Sequence, residues 1–255
     1  MAPKIIALGS GKGGVGKTTV ALNLGFALAS LNKKVIVVDT DISLPNLDLY
    51  TGLEKPIITL LDVLNGSADV QSAINTIQLG LSILPCGSSL QALRDVNMDK
   101  LGDVIAELKN SDFDYVILDV PAGLSKFSIL PMTFSDEVLL IVNPDPASIS
   151  DAQKVKAVSA LAGINISGII VNKYKKSIYE DVGVKLGIPV FGVIPEDEAV
   201  ISARDSRKPL ILLKPRSSSS KAILEIARKI CGVPPKKRFL SRLFKCIRIS
   251  KIKRC

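Results

Sequence analysis

The feature of the sequence that most restricts the fold is a glycine-rich segment that follows an apolar run and precedes a helical pattern. Residues 5–8 (IIAL) are typical of a buried strand, residues 9–19 have the sequence GSGKGGVGKTT, and residues 19–31 have the pattern of a helix. Glycines let a backbone wrap a phosphate chain with its N–H groups pointing inward, and the helix N-terminus adds a partial positive charge. This context predicts a phosphate-binding loop rather than an ordinary glycine-rich turn.

The loop supplies two groups suited to a bound nucleotide. Lys17 is expected to neutralise the β- and γ-phosphates, and the Thr18 hydroxyl is expected to ligate Mg²⁺. The predicted nucleotide-binding residues here are Gly11, Lys12, Gly13, Gly14, Val15, Gly16, Lys17, Thr18 and Thr19.

A second lysine in the loop, Lys12, has no obvious task at its own nucleotide, because Lys17 already occupies that side. It could reach a nucleotide held by a facing subunit, or it could be a solvated surface lysine. The sequence KGGVGKT resembles the deviant Walker A loop of the MinD/ParA family of dimerising ATPases. That resemblance implies ATP as the nucleotide, a homodimer when ATP is bound, and catalytic roles for Lys12 and Lys17, with Lys12 crossing to the partner's phosphates.

Two more apolar runs end in an aspartate. Residues 34–39 (KVIVVD) deliver Asp39 and, two residues later, Asp41, whereas residues 115–119 (YVILD) end at Asp119. Carboxylates at the C-terminal ends of strands lie where an open α/β sheet places its chemistry. An apolar strand ending in aspartate is the Walker B arrangement, so Asp119 is predicted to hold Mg²⁺ through water. Gly123, which follows, could approach the γ-phosphate through its backbone N–H.

The segments after these two strands resemble the switch regions of the same family. Residues 39–48 (DTDISLPNLD) match switch I, with Ser43 replacing the usual glycine, and residues 119–123 (DVPAG) match switch II. The resemblance implies that Asp41 orients the attacking water, that Asp39 supports the magnesium site, and that protein partners bind at the switches. The alternative for Asp39 is a residue that merely ends its strand and caps the following turn.

Strand and helix patterns alternate through the rest of the chain. Strands are predicted at 137–142, 166–171 and 189–194, and helices at 150–161 and 178–186. This alternation predicts an α/β fold with a doubly wound, mostly parallel sheet. By resemblance, Asn172 and the segment Pro195, Glu196 and Asp197 lie on the adenine side of the nucleotide.

Composition restricts the class of protein further. The 255 residues are enough for one large domain, 47% of them are hydrophobic, and no apolar run reaches the length of a membrane span. The four cysteines show no C-x-x-C spacing and histidine is absent, which disfavours a zinc site. With no apolar core of a signal peptide at the N-terminus, we expect a cytoplasmic protein with reduced cysteines.

The net charge of +9 is concentrated at the C-terminus. All 24 acidic residues precede position 226, whereas nine of the 33 basic residues lie in 236–254, which leaves residues 1–235 neutral. We therefore predict an ATPase domain at 1–232, a proline linker at 233–235 and a basic tail at 236–255. Such asymmetry indicates a polyanionic partner for the tail.

The tail has the pattern of an amphipathic helix. Its apolar face would carry Phe239, Leu240, Leu243, Phe244 and Ile247, with arginines and lysines opposite. Such a helix is typical of an element that lies in a membrane interface. The sequence thus predicts peripheral attachment to an anionic membrane on its cytoplasmic face, strengthened when a dimer presents two tails. A nucleic-acid-binding arm is the alternative, disfavoured because phosphates make no use of an apolar face.

Together these features resemble the MinD branch of the family over nearly the whole chain. They predict a membrane-associated ATPase that dimerises with ATP and positions partner proteins, as in cell division. Two rival hypotheses are a ParA-like partition ATPase that binds nucleic acid and a scaffold that binds nucleotide without hydrolysing it.

Overall fold

One large sheet forms the centre of the molecule. The computed structural model describes residues 2–51, 57–88, 96–175 and 181–234. Within them the sheet has eight strands: β1 (Lys4–Gly9), β2 (Val35–Asp39), β3 (Asn75–Thr76), β4 (Ser82–Leu84), β5 (Tyr115–Asp119), β6 (Glu137–Val142), β7 (Ile166–Tyr174) and β8 (Val190–Pro195). Their spatial order is β3-β4-β2-β5-β1-β6-β7-β8, and only the short β3 runs antiparallel to its neighbour.

Helices cover both faces of this sheet, which explains why its central strands are apolar along their whole length. The helices are α1 (Lys17–Ala29), α2 (Leu47–Thr51), α3 (Leu60–Leu64), α4 (Val70–Ala73), α5 (Leu101–Lys109), α6 (Lys126–Thr133), α7 (Pro146–Leu161), α8 (Val182–Leu186), α9 (Glu198–Asp205), α10 (Leu210–Leu213) and α11 (Ser218–Ile230), with 3₁₀ turns at Gln78–Gly80 and Met98–Lys100. One apolar cluster contains residues of α1, α9, α10 and α11, and the other contains residues of α3 to α8. The predicted doubly wound, mostly parallel sheet is confirmed.

The strand register brings the predicted chemistry to one edge. β1 lies between β5 and β6, and the parallel pairing sets Asp39 of β2 directly beside Asp119 of β5, with Leu8 of β1 on the other side of Asp119. The loop between β1 and α1 begins at this same edge. The connection after β1 leads to β2 in one half of the sheet, whereas the connection after β5 leads to β6 in the other half. The crevice at the carboxyl ends of the neighbouring strands β1 and β5 is therefore a topological switch point, where open α/β sheets bind ligands.

Several element boundaries differ from those predicted, each for a local reason. Helix α1 begins at Lys17 rather than at residue 19, because Gly16 is left-handed (φ 94°) and ends the loop. Helix α7 begins at Pro146 rather than residue 150, since the Asp145 carboxylate caps it by accepting the Ser148 N–H at 2.9 Å. Strand β7 continues to Tyr174, so Asn172 lies inside it.

The C-terminal predictions are only partly covered by the described residues. Helix α11 begins at Ser218, inside the serine run 217–220, and is capped by Ser217, whose hydroxyl accepts the Ser220 N–H. The predicted amphipathic helix and its apolar residues from Phe239 to Ile247 lie outside the described residues. In the described part of the chain, no helix combines the length and the apolar character that crossing a membrane requires.

Candidate nucleotide site

The loop between β1 and α1 has the geometry of an anion cradle. Gly14 and Gly16 have φ angles of 76° and 94°, which glycine adopts without steric cost. Gly13 and Gly14 have open space where a Cβ would be. Gly11 serves a different purpose, because a Cβ there would lie 2.4 Å from the carbonyl carbon of Asp151, so this glycine allows α7 to approach the loop.

A buried ion pair lies at the base of the loop. The Lys17 ammonium is 2.7 Å from Asp119 Oδ1, and the two side chains are 7% and 0% exposed. The second oxygen, Asp119 Oδ2, is buried without a hydrogen-bond partner among the described residues. An unpartnered carboxylate oxygen in such a position needs a ligand, and a hydrated Mg²⁺ beside Thr18 fits it.

Asp39 binds three backbone N–H groups of switch I. Its Oδ1 accepts the Asp41 N–H at 2.9 Å, and its Oδ2 accepts the N–H groups of Asn46 and Leu47 at 3.3 Å each. Burial, together with the neighbouring Asp119 carboxylate, raises the pKa of Asp39 to about 8. These contacts match the alternative in which Asp39 ends its strand and caps the following turn, although here the carboxylate binds backbone groups along the whole loop. Direct metal ligation by Asp39 stays a prediction.

A threonine that sequence reasoning missed joins switch I to the Walker B strand. The hydroxyl and the N–H of Thr40 both donate to the Asp119 carbonyl, at 2.9 and 3.0 Å. The one feature of the sequence that could have indicated this contact is the position of Thr40 immediately after a strand that ends in aspartate. Asp41, the predicted water-orienting residue, lines the cleft, and its Oδ1 accepts the Leu44 N–H at 3.1 Å.

The predicted role of Gly123 does not match this conformation. Its φ of 100° does require glycine, but its N–H donates to the Ser10 carbonyl at 2.9 Å. The donor expected to face a γ-phosphate is therefore engaged by the phosphate loop itself, and Gly123 does not line the cleft. Any contact with phosphate requires switch II to move.

The adenine-side predictions divide into two kinds. Asn172 is buried and its side-chain nitrogen donates to the Val15 carbonyl at 2.7 Å, so the amide contacts the phosphate loop. Pro195, Glu196 and Asp197 line the far side of the cleft. The Asp197 carboxylate has a structural role, because it accepts hydrogen bonds from the N–H groups of Ala199 and Ser219 and from the Ser218 hydroxyl.

One cleft of about 1040 Å³ joins these groups. It brings together the loop residues 12–19, Asp41, Asn172 and residues 195–197, whereas Gly11, Asp39, Asp119 and Gly123 are not among the residues that line it. Sequence reasoning missed several lining residues, namely Tyr50, Lys173, Ile201, Arg204 and Ile223. Most come from helices α2, α9 and α11, whose patterns predict packing and carry no sign of a ligand.

Comparisons with known proteins agree with this geometry. A family model described as the CobQ/CobB/MinD/ParA nucleotide binding domain matches residues 6–210. An uncharacterised ATP-binding protein of Methanocaldococcus jannaschii is 41% identical over 89% of this chain and 87% of its own length. The septum site-determining protein MinD of Pyrococcus horikoshii, solved with Mg-ADP, is 35% identical with a TM-score of 0.84, over 89% of this chain and 96% of that one. MinD in the MinC:MinD complex of Aquifex aeolicus is 33% identical with a TM-score of 0.82, over 92% and 99%.

The Lys17–Asp119 pair generates a prediction about stability without nucleotide. Lys17→Met should lower the free energy of unfolding by about 3–5 kcal/mol, because it leaves a buried carboxylate unpaired. The double variant Lys17→Met/Asp119→Asn should recover most of the loss. Urea unfolding measures both, with Lys4→Met, which breaks the more exposed Lys4–Glu137 pair, as a control expected within about 1 kcal/mol of wild type. A loss of stability in Lys17→Met no larger than that in Lys4→Met would contradict the prediction that the Lys17–Asp119 pair is shielded from solvent.

A second prediction concerns pH. Burial raises the pKa of Asp197, but the hydrogen bonds from Ser219, Ser218 and Ala199 outweigh burial and lower it to about 2. Because the folded pKa lies below the ordinary value of 3.8, the stabilisation is present above about pH 4 and is lost as the pH falls towards 2. Asp197→Asn should therefore be less stable than wild type by a constant margin between pH 5 and 7, and the margin should shrink below pH 4. Urea unfolding across this range measures the margin, and a margin independent of pH would contradict the assignment.

Proposed function

The chain belongs to the CobQ/CobB/MinD/ParA family of nucleotide-binding proteins, and from this premise we propose that it is a MinD-like, Mg²⁺-dependent ATPase. It hydrolyses ATP to ADP and phosphate, dimerises with ATP bound, and attaches to an anionic membrane through its C-terminal tail. Membrane attachment thereby reports the nucleotide state, and the protein positions partners in cell division. The Mg-ADP complex of the similar Pyrococcus horikoshii MinD supports a magnesium nucleotide here.

The observation that carries the proposal is the contrast between the two loop lysines. Lys17 is buried against Asp119, whereas Lys12 is 47% exposed at the mouth of the cleft, 4.0 Å from the half-exposed Asp145. An exposed pair at this distance contributes little energy, so Lys12 is free to exchange Asp145 for a phosphate. A cation that faces solvent beside its own site is suited to a nucleotide in a second subunit.

The residues of the site have distinct tasks in hydrolysis. Thr18 and Asp119 would hold Mg²⁺, which would supply positive charge to the phosphates of the nucleotide. Lys17 binds the same phosphates, and the loop N–H groups cradle them. Asp41 orients the attacking water. Its loop is hydrogen-bonded to Asp39 and Thr40, and dimerisation fixes the Asp41 carboxylate beside the water. Turnover by the monomer is therefore slow.

The tail converts dimerisation into membrane residence. One basic amphipathic helix gives a weak, reversible attachment, because ordering the helix offsets much of the gain from burying its apolar side chains. Two tails on one dimer bind far more tightly, since the second attachment is intramolecular. The MinC:MinD complex of the similar Aquifex aeolicus protein supports a MinC-like partner. The switch regions are the surface proposed for it.

Vesicle co-sedimentation tests the membrane switch. On anionic vesicles the full chain should pellet with ATP but much less with ADP or without nucleotide, and a chain ending at residue 235 should not pellet. Lys12→Ala should lose the dependence on ATP, whereas Lys185→Ala, which removes an exposed lysine of α8, should behave as wild type. Pelleting that ignores the nucleotide would contradict the switch. Salt-sensitive binding to duplex DNA without binding to vesicles would favour the partition alternative.

ATP turnover tests the catalytic assignment. Asp41→Ala should lower kcat by about 100-fold or more, the range for a residue that positions or activates the attacking group, while ATP affinity changes little. Asp112→Ala, an exposed aspartate at the opposite edge of the sheet, serves as the matched control. Steady-state phosphate release and nucleotide titration measure the two quantities. Equal turnover in Asp41→Ala and wild type would remove Asp41 from the mechanism, and no turnover by either would favour the scaffold alternative.

A further inference from the structure

We propose that Asn172 and Lys173, at the carboxyl end of β7, are positioning residues that hold the phosphate loop in its binding conformation before nucleotide arrives. They do so by binding the carbonyl oxygens of Val15 and Gly14. This role rests on the proposed function, in that the loop binds nucleotide, and it differs from the adenine contact expected for Asn172.

Two side-chain amides and one ammonium group donate hydrogen bonds to two backbone carbonyls of the loop. Asn172 Nδ2 donates to the Val15 carbonyl at 2.7 Å, and Lys173 Nζ donates to the Gly14 carbonyl at 2.9 Å. The side-chain amide of Asn143, with its nitrogen turned towards the loop, donates to the carbonyls of Val15 and Asn172, each at 3.3 Å. The ends of β6 and β7 therefore bind the loop from the side opposite Asp119.

Holding a carbonyl also fixes the direction of the N–H in the same peptide. All peptide bonds of the described residues are trans, and in a trans peptide the C=O and N–H groups point in opposite directions. With the Gly14 carbonyl held by Lys173, the Val15 N–H points away from β7, and with the Val15 carbonyl held by Asn172, so does the Gly16 N–H. Val15 and Gly16 both line the cleft, so these are donors that a phosphate requires.

The backbone of β7 departs from regular geometry where this contact is made. Successive side chains of a strand point to opposite faces, yet Asn172 and Lys173 both reach the loop. Lys173 is left-handed (φ 53°), a conformation that is unfavourable for a residue other than glycine, and the register between β7 and β8 shifts between Val171 and Tyr174. The irregularity turns two consecutive side chains towards the same loop, and strain of this kind persists where the surroundings impose it.

β7 and the phosphate loop lie so close together that the loop needs a glycine at the point of contact. A Cβ on Gly16 would lie 2.5 Å from Asn172 Nδ2, so the loop can approach this amide only without a side chain. Gly16 thus serves the contact with β7 as well as its left-handed φ. The contacts from β7 therefore hold the phosphate loop from one side.

Motion of the loop amides tests this role without relying on catalysis. In the nucleotide-free full chain, Lys173→Met should lower the NMR order parameters of the Val15 and Gly16 N–H groups, while those in β1 and β5 stay unchanged. The same variant should weaken ADP and ATP binding by similar factors of about 10–150, the loss expected when a hydrogen bond from a charged donor is removed. The matched control is Lys185→Met, which removes an exposed lysine remote from the loop.

Two further variants separate positioning from simple attraction of the nucleotide. Lys173→Arg keeps a charged donor and should restore most of the order, whereas Asn172→Asp replaces the donor to Val15 by an acceptor and should loosen the loop further. If Lys173 only attracts phosphate, Lys173→Met will weaken binding in a salt-dependent way and leave the order parameters of the loop unaltered. Unaltered order parameters at Val15 and Gly16 in Lys173→Met overturn the proposal. Failure of the wild-type chain to bind any nucleotide would instead refute the proposed function, and the order-parameter result would stand apart from it.

Discussion

The candidate site is organised around one buried interaction, the ion pair between Lys17 and Asp119. It joins the first residue of α1 to the last residue of β5, across the point where the chain leaves β1. Thr40 binds the Asp119 carbonyl and Asp39 lies beside it in the sheet, so switch I begins from the same place. The phosphate loop, α1 and switch I therefore all adjoin Asp119. A magnesium nucleotide bound beside Asp119 would change the electrostatic environment of all three.

The contacts on the two sides of the phosphate loop act on different groups. On the β7 side, Asn172 and Lys173 bind its carbonyls, and Gly11 packs closely against α7. On the switch side, the Asp41 carboxylate accepts the Leu44 N–H of its own loop, and the Gly123 N–H is engaged with Ser10. The switch side must therefore rearrange before Gly123 can contact a phosphate, which agrees with the proposal that hydrolysis depends on a partner subunit.

Much of the site could be predicted from the sequence because its signals are local. The residues of the loop between β1 and α1 are consecutive in the sequence, so the motif can be recognised directly. An apolar run that ends in aspartate predicts both a buried strand and a carboxylate at its end, as for Asp39 and Asp119. The contacts of Asn172, Lys173 and Thr40 could not be predicted, because they depend on strand order and on the left-handed backbone at Lys173. The same holds for Gly123, since a glycine permits several conformations and the sequence does not choose among them. Arg204 and Tyr50 reach the cleft through helix packing that the amphipathic pattern does not specify.

The central claim is that ATP, and not ADP, brings two copies of this chain together through Lys12. Sedimentation velocity on the Asp41→Ala variant, in which ATP persists, measures this most directly. The account predicts a species of twice the monomer mass with ATP and Mg²⁺, a monomer with ADP, and a monomer under both conditions when Lys12→Ala is added. A monomer with ATP in the Asp41→Ala variant, or a dimer that survives the loss of Lys12, would contradict it.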